Sequence, residues 1–333
     1  MIKDMEQKIT IFIPTYNNET TILDTLRSIE QQKTNKIKEI IIIDDGSTDK
    51  TLEIINHFTQ ASRFNLHIIK NRKPTGLSAK YNRAINLTKT SLIIIMHADI
   101  VIQSGKAIEN YYEIMKNKNN VASISKIKHN FEDWKKFTFW EKCEFDRSLN
   151  FQRHFLAAKF DIYRVSALKK VGKFDEKTYY AGGEDANLWL KLSAIGNVVK
   201  SENIYVHKQS FSRKYSIYNL FYRSARYAEA AGVVFRHNFS QYNLFDFPLL
   251  FFRELMTLFL VASIIIFLLF KIYIFLFLSL FLFAFFSFVN TKNTYLHSGL
   301  NPRILILPFV NISLIFISNY FTLRGFLTGR ETL

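Results

Sequence analysis

Two isoleucine runs constrain the chain more than any other feature. "EIIIIDDGS" (39–47) and "SLIIIMHADI" (91–100) are apolar at nearly every position before they turn polar. A strand with one wet face alternates, whereas an unbroken apolar run is expected of a strand buried on both faces. Such a strand requires helices on either side of its sheet. Helical spacing is present at Ile22, Leu26 and Ile29 within 19–32, with Asn18 or Thr20 as the expected cap, and again over 49–58 and 77–89. Further β-rich runs lie at "KITIFIP" (8–14) and "NLHIIK" (65–70). This alternation predicts an α/β fold with a mostly parallel sheet flanked by helices. In open sheets of this kind ligands bind beyond the carboxyl ends of the strands. Three polar clusters fall there: Thr15-Tyr16-Asn17, Asp44-Asp45-Gly46-Ser47 and His97-Ala98-Asp99.

The second half is less regular. Residues 131–157 mix aromatic and charged side chains, which suggests amphipathic helices under the sheet or at a membrane surface. "KFDIYRVSALKKVGKFDE" (159–176) reads as a strand, a short helix and a turn. "GGEDANLWLKLSAIG" (182–196) reads as a glycine loop leading into a helix, and 216–237 as a helix rich in Arg and Tyr.

Residues 255–289 carry one charge, Lys271. At roughly 20 residues per span the run is too long for one crossing and short for two, unless residues from about 247 join it. Lys271 would then mark the turn. A second apolar run, 304–323, contains Pro308, Asn311, Ser313, Ser318 and Asn319, and so spans, re-enters or lies flat. Two or three hydrophobic segments are therefore expected, at about 248–270, 272–289 and 304–323. The N-terminus has no apolar signal-peptide core, which places the globular part in the cytosol. Lys292 and Arg303 agree with a cytosolic loop under the positive-inside rule. The net charge is +16, with Lys and Arg clustered at 126–159 and 200–236. On a membrane-attached chain, anionic lipid headgroups are the expected counterpart. No nucleic-acid-binding motif occurs, so nucleic acid is not expected as a partner. The single cysteine, Cys143, excludes an internal disulfide.

Five motifs, in order and at the right spacing, carry a resemblance. "IPTYNNE", "IIIDDGSTDKT", "GLSAKYNRAI", "MHADI" and "VGKFDE...GGEDANLWLKL" resemble glycosyltransferase family 2 over about residues 8–237. The resemblance implies the GT-A nucleotide-diphospho-sugar transferase fold. The "GGED" block is similar to glycan-extending, rhamnosyltransferase-like members, and the tail to membrane-attached ones. Residues 1–240 would form the catalytic domain, with about 1–100 holding the nucleotide and 101–240 the acceptor. Residues 241–333 would form the membrane domain.

The implied reaction is inverting displacement of a nucleoside diphosphate from the anomeric carbon of a nucleotide sugar. The acceptor would be a hydroxyl of a glycan or lipid-linked oligosaccharide. Asp185 is the expected general base, with Glu184 orienting the loop or holding an acceptor hydroxyl. Both acids also suit the first turn of a helix. Gly182, Gly183 and Trp189 are expected on the sugar and acceptor side. The resemblance assigns the nucleotide to Pro14, Thr15, Tyr16, Asn18, Asp44, Asp45, Asn71, Gly76, Asn82 and Ala98. One of Asp44 and Asp45 should bind and the other hold the turn. Tyr81 stands where the family commonly has Arg, with Lys80 beside it. Asp99 is the principal candidate ligand for a divalent cation, Mn2+ or Mg2+. His97 replaces the family's usual first Asp and, with His207, is a second candidate ligand. Lys208, Arg213 and Lys214 would neutralise a diphosphate or face the membrane. Two other readings remain open: a polyprenyl-phosphate sugar synthase, and an inactive sugar-binding or scaffold protein.

Overall fold

The computed structural model describes residues 8–128, 131–146, 149, 153–154, 158–179, 182–208, 215–239 and 252–332. Two compact units result, and they do not follow chain order. The first takes 1–133, 150–180 and 184–211; the second takes 134–149, 181–183 and 212–333. A boundary at residue 240 does not match this division, because the helix Ile217–His237 belongs with the C-terminal helices.

Among the described residues the first unit is built on one sheet of nine strands: β1 Ile9–Thr15, β2 Ile37–Asp44, β3 Leu66–Lys70, β4 Leu92–Met96, β5 Ile100–Ile102, β6 Asn120–Lys128, β7 Arg153–His154, β8 Phe160–Arg164 and β9 Asn197–His207. Their order is β3-β2-β1-β4-β8-β6-β9-β5, with β7 beside β6. The first four strands are parallel, as the βα alternation requires. The added strands make the sheet mixed, since β8 runs antiparallel to β4 and β6, and β5 antiparallel to β9. β6 and the early part of β9 give no clean apolar run and were not expected from the sequence.

The isoleucine runs split by parity, which explains their composition. Ile11, Ile13, Ile40, Ile42 and Ile94 join one core layer with the helices Ile22–Glu30 and Ala107–Met115. Phe12, Ile41, Ile43, Ile93 and Ile95 join the other with Leu77–Leu87, Val165–Lys170 and Glu184–Ser193. Neither expected cap serves the first helix through its side chain. The Asn18 backbone carbonyl instead accepts from the N–H groups of Thr21 and Ile22.

In the second unit, capping boxes at Thr138 and Ser216 open the helices Phe139–Phe145 and Ile217–His237. The apolar tail forms Phe252–Leu269, Tyr273–Asn290 and Leu307–Thr328. Among the described residues two helices, Tyr273–Asn290 and Pro302–Thr328, are long and apolar enough to cross a membrane. Lys271 sits at the first turn with φ 56°, and Ile272 N–H reaches back to Phe267 O at 2.9 Å. This is a left-handed helix closure made without glycine.

Candidate active site

Two loops leave the parallel strands and are fastened to each other. After β1, Asn17 adopts a positive φ of 51° and its Oδ1 accepts from Thr48 N–H at 2.9 Å. Asn18 N–H donates to Thr51 Oγ1 at 2.7 Å, while Asn18 Oδ1 accepts from Thr15 Oγ1 and Tyr16 N–H. Tyr16 is left half exposed, presenting a ring beyond the strand ends, whereas Thr15 is buried.

Geometry separates the two aspartates. Asp44 accepts from the N–H groups of Gly46 and Ser47 and from the Ser47 hydroxyl, so it holds the turn, and Gly46 supplies the left-handed φ of 89°. Asp45 gathers side chains from the next connection. Its Oδ1 accepts from Asn71 Nδ2 and from Thr75 N–H and Oγ1, and its Oδ2 pairs with Lys80 Nζ at 3.0 Å. Burial works against the Asp45 charge, but the Asn71, Lys80 and Thr75 hydrogen bonds outweigh it and hold the carboxyl below its usual range. Arg83 adds a contact to Asn71 Oδ1. Gly76 starts the following helix at φ 87°, with no atom within 4 Å of a would-be Cβ. Its conformation, not crowding, requires glycine. Asn82 departs from expectation. Its amide donates to Phe174 O and Glu176 Oε1 and its carbonyl accepts from Phe174 N–H, so it clamps a turn instead of facing a nucleotide.

Antiparallel pairing of β5 with β9 sets Ile100 opposite His207 and brings Asp99 and His207 together across 108 residues of chain. His207 Nε2 lies 2.9 Å from Asp99 Oδ2. Burial alone would raise Asp99, but the His207 hydrogen bond and the charges of His207 and His97 hold it down to about 2. Its other oxygen, Oδ1, is buried with no hydrogen-bond partner. An orphaned carboxylate oxygen beside an imidazole suits a divalent cation. Among the described residues no group of three or more His, Cys, Asp or Glu forms a complete metal cage. The pair thus fits an ion that completes its coordination with ligand oxygens. His97 turns elsewhere: its Nε2 is 2.6 Å from the Tyr81 hydroxyl, and burial pushes it down to about 3. Ala98 O accepts from Thr25 Oγ1, which anchors the segment between the two. Lys208 pairs with Asp24 at 2.6 Å, while Arg213 and Lys214 lie outside the described residues.

Glu184 and Asp185 open the helix Glu184–Ser193, and Asp185 Oδ1 accepts from Ala186 N–H at 2.7 Å. Burial first, and the adjacent Glu184 charge second, push Asp185 up to about 7; burial also raises Glu184. A carboxyl poised there can take a proton near neutral pH. A pocket beside it is lined by Asp185, Leu188 and Trp189 of the helix and by Ala122, Ile124 and Tyr163 of the sheet. Asp161 occupies the same sheet face two residues before Tyr163, in register with Ile124, and is 1% exposed. Burial, then the Asp185 charge, push it up to about 8. The sequence reading missed Asp161, although an acid inside the strand "FDIYR" was the available signal. In the second unit Gly183 takes φ 95°. Gly182 would have room for a Cβ 3.4 Å from the Tyr227 ring.

Residues 10–172 match the family model for glycosyl transferase family 2. Residues 10–172 are therefore a glycosyltransferase family 2 domain. The glycosyltransferase is 27% identical over 227 residues to an uncharacterized glycosyltransferase of Methanocaldococcus jannaschii, covering 66% of this chain and 74% of that one. It is 26% identical over 229 residues to an O-antigen chain rhamnosyltransferase of Salmonella typhimurium, covering 62% and 70%. Two further curated relatives are matched over only 19% and 16% of their own length. A mannosyltransferase from Pyrobaculum calidifontis, solved with GDP-Man and Mn2+, superposes with a TM-score of 0.56 at 14% identity, covering 98% of this chain and 86% of that one. At that identity the likeness establishes the GT-A fold alone.

Proposed function

We propose that this glycosyltransferase moves a sugar from a nucleotide-sugar donor to a hydroxyl of a glycan or lipid-linked oligosaccharide, with inversion, at the cytosolic face of a membrane. The observation that carries the reading is Asp185, a carboxyl raised to about 7 at the rim of a pocket, in the same compact unit as the Asp99–His207 pair. The acceptor oxygen attacks the anomeric carbon while the bond to the diphosphate breaks on the opposite side. The hydroxyl proton passes to the Asp185 carboxylate. Glu184 holds a second acceptor hydroxyl, and Trp189 offers an apolar wall to the sugar face. The nucleoside packs against Pro14, Thr15 and Tyr16, with the Asp45–Asn71–Lys80 cluster beside it. A divalent cation held by Asp99 and His207 would supply Lewis-acid stabilisation to the departing diphosphate. The O-antigen rhamnosyltransferase relative and the apolar C-terminal helices favour a glycan acceptor presented at a membrane.

The test begins with a panel of nucleotide sugars and Mn2+. A true donor at 100 times its Kd should stabilise the protein by about 2.7 kcal/mol. That donor is then assayed for transfer to lipid-linked glycans. Asp185→Asn should still bind donor but lose about 10²- to 10⁴-fold in turnover. A folded Asp185→Asn variant that turns over nearly as fast as the parent overturns the reading. A product made from polyprenyl phosphate alone would change the acceptor class.

A further inference from the structure

The helix Leu307–Thr328 is apolar enough to cross a bilayer, but it has a charged companion along its whole length. Leu220 shares an apolar cluster with Leu307 and Val310. The hydroxyls of Ser224 and Ser318 are 3.2 Å apart. A Cβ on Gly232 would collide with the backbone at Thr322 and Phe326, and one on Gly325 with the backbone at Glu229. Arg236 Nη1 donates to Phe326 O at 2.8 Å, and His237 Nε2 lies 3.0 Å from Gly329 O. Contacts therefore advance together, from Leu220 with Leu307 to His237 with Gly329. Ile217–His237 and Leu307–Thr328 run side by side in the same direction.

The companion carries Arg223, Arg226, Glu229 and Arg236. Glu229 is neutralised within the pair by Arg324, 3.4 Å away, and accepts from Thr332 N–H and Oγ1. Arg226 stacks over Tyr222 and has no ion-pair partner among the described residues. Arg236 is exposed. Arg223 pairs with Glu144 at 2.8 Å, but if Leu307–Thr328 crossed the bilayer, Arg226 and Arg236 would travel through hydrocarbon without a counter-charge among the described residues, which is expensive. The same pair laid flat meets no such penalty. Phe309, Phe316, Tyr320, Leu323 and Leu327 are exposed at spacings of 7, 4, 3 and 4, which is one helix face. The exposed residues of the companion are of another kind, Tyr218, Tyr222 and Tyr227 among arginines, the types that collect at headgroup depth.

We infer that Leu307–Thr328 lies in the plane of the membrane interface, paired with Ile217–His237, and that the hairpin formed by Phe252–Leu269 and Tyr273–Asn290 is the element that enters the hydrocarbon. The hairpin has no charged companion of this kind among the described residues. Its arms are joined by a Ser263–Ser279 hydrogen bond at 2.9 Å, with Lys271 at the tip. The phosphates of anionic lipids are the partner this layer fits, because Arg226 and Arg236 meet them when its apolar face is immersed. The inference rests on the membrane attachment proposed above.

The experiment uses the full chain in sealed vesicles of phosphatidylcholine and phosphatidylglycerol with the catalytic unit outside. Leu300→Cys and Arg330→Cys place thiols before and after the helix at exposed positions, and native Cys143 is buried. A membrane-impermeant maleimide should label both from outside. Labelling of Arg330→Cys only after the vesicles are opened overturns the inference and leaves attachment intact. A fluorophore on Phe316→Cys should be quenched more by spin labels near the headgroup than by labels at the chain end; the reverse order overturns it independently. Failure of the protein to float with vesicles at all sinks both this inference and the attachment reading.

Discussion

Asp185 and Asp161 hold their protons for the same physical reason, loss of water around a carboxylate, but they predict different experiments. Asp185 must be ionised to accept a proton. kcat/KM should therefore fall on the acid side of a limb near pH 7, which a pH profile with the chosen donor reads directly. The adjacent Glu184 titrates with it, so the limb belongs to the pair. Asp161 reports on stability. Its folded value near 8 lies above an unfolded value of about 3.9, so between those limits the folded state binds more protons. The stabilisation is complete below the unfolded value and is lost as pH rises towards 8, at up to about 1.4 kcal/mol per pH unit. Asp161→Asn keeps an acceptor for Ser125 N–H and removes the ionisation. Its Tm relative to the parent should climb between pH 5 and 8.5, and a flat difference would refute the account. At this scale the sequence was a mixed guide even where a motif named the residue, although Glu184 and Asp185 do open a helix as their acidity suits. It was poor where a role depends on what surrounds a side chain. Asn82 matched a motif and clamps a turn, and Asp161 matched none.

Elements carry the next level of meaning. The parallel strands and their helices were legible because a run buried on both faces has a distinctive composition. β6 and β9 were not, because strands with polar gaps are recognised only by their partners. That omission mattered, since pairing of β9 with β5 delivers His207 to Asp99. The consequence is measurable. His207→Ala should raise the Mn2+ concentration needed for half-maximal activity by at least about 10-fold. His97→Ala, whose parent imidazole is engaged with Tyr81, should leave that requirement nearly unchanged while disturbing the Tyr81 contact. Equal effects from the two variants would contradict the assignment. Lys80 belongs to the same level. In the sequence it was only the neighbour of Tyr81, the residue that departs from the family, and in the fold it is the counter-charge of a buried aspartate.

At the scale of the whole molecule, the chain combines a net charge of +16 with an apolar tail. Binding to vesicles containing anionic lipid should weaken as salt rises from 0.05 to 0.5 M, because headgroup attraction is screened over about 10 Å at 0.1 M. It should level off above zero, since burial of the hairpin is insensitive to screening; complete release by salt in a flotation assay would argue against insertion. The sequence by itself determined that the chain builds an α/β sheet, that its motifs are those of glycosyltransferase family 2 and that its tail is apolar. Those properties follow from local composition and spacing. Only the tertiary structure decided which aspartate holds the turn, which histidine meets Asp99, and that an apolar C-terminal helix is bound to a charged one. Each of these depends on a partner distant in the chain, and local pattern carries no record of which distant residue will supply the hydrogen bond, the charge or the packing surface.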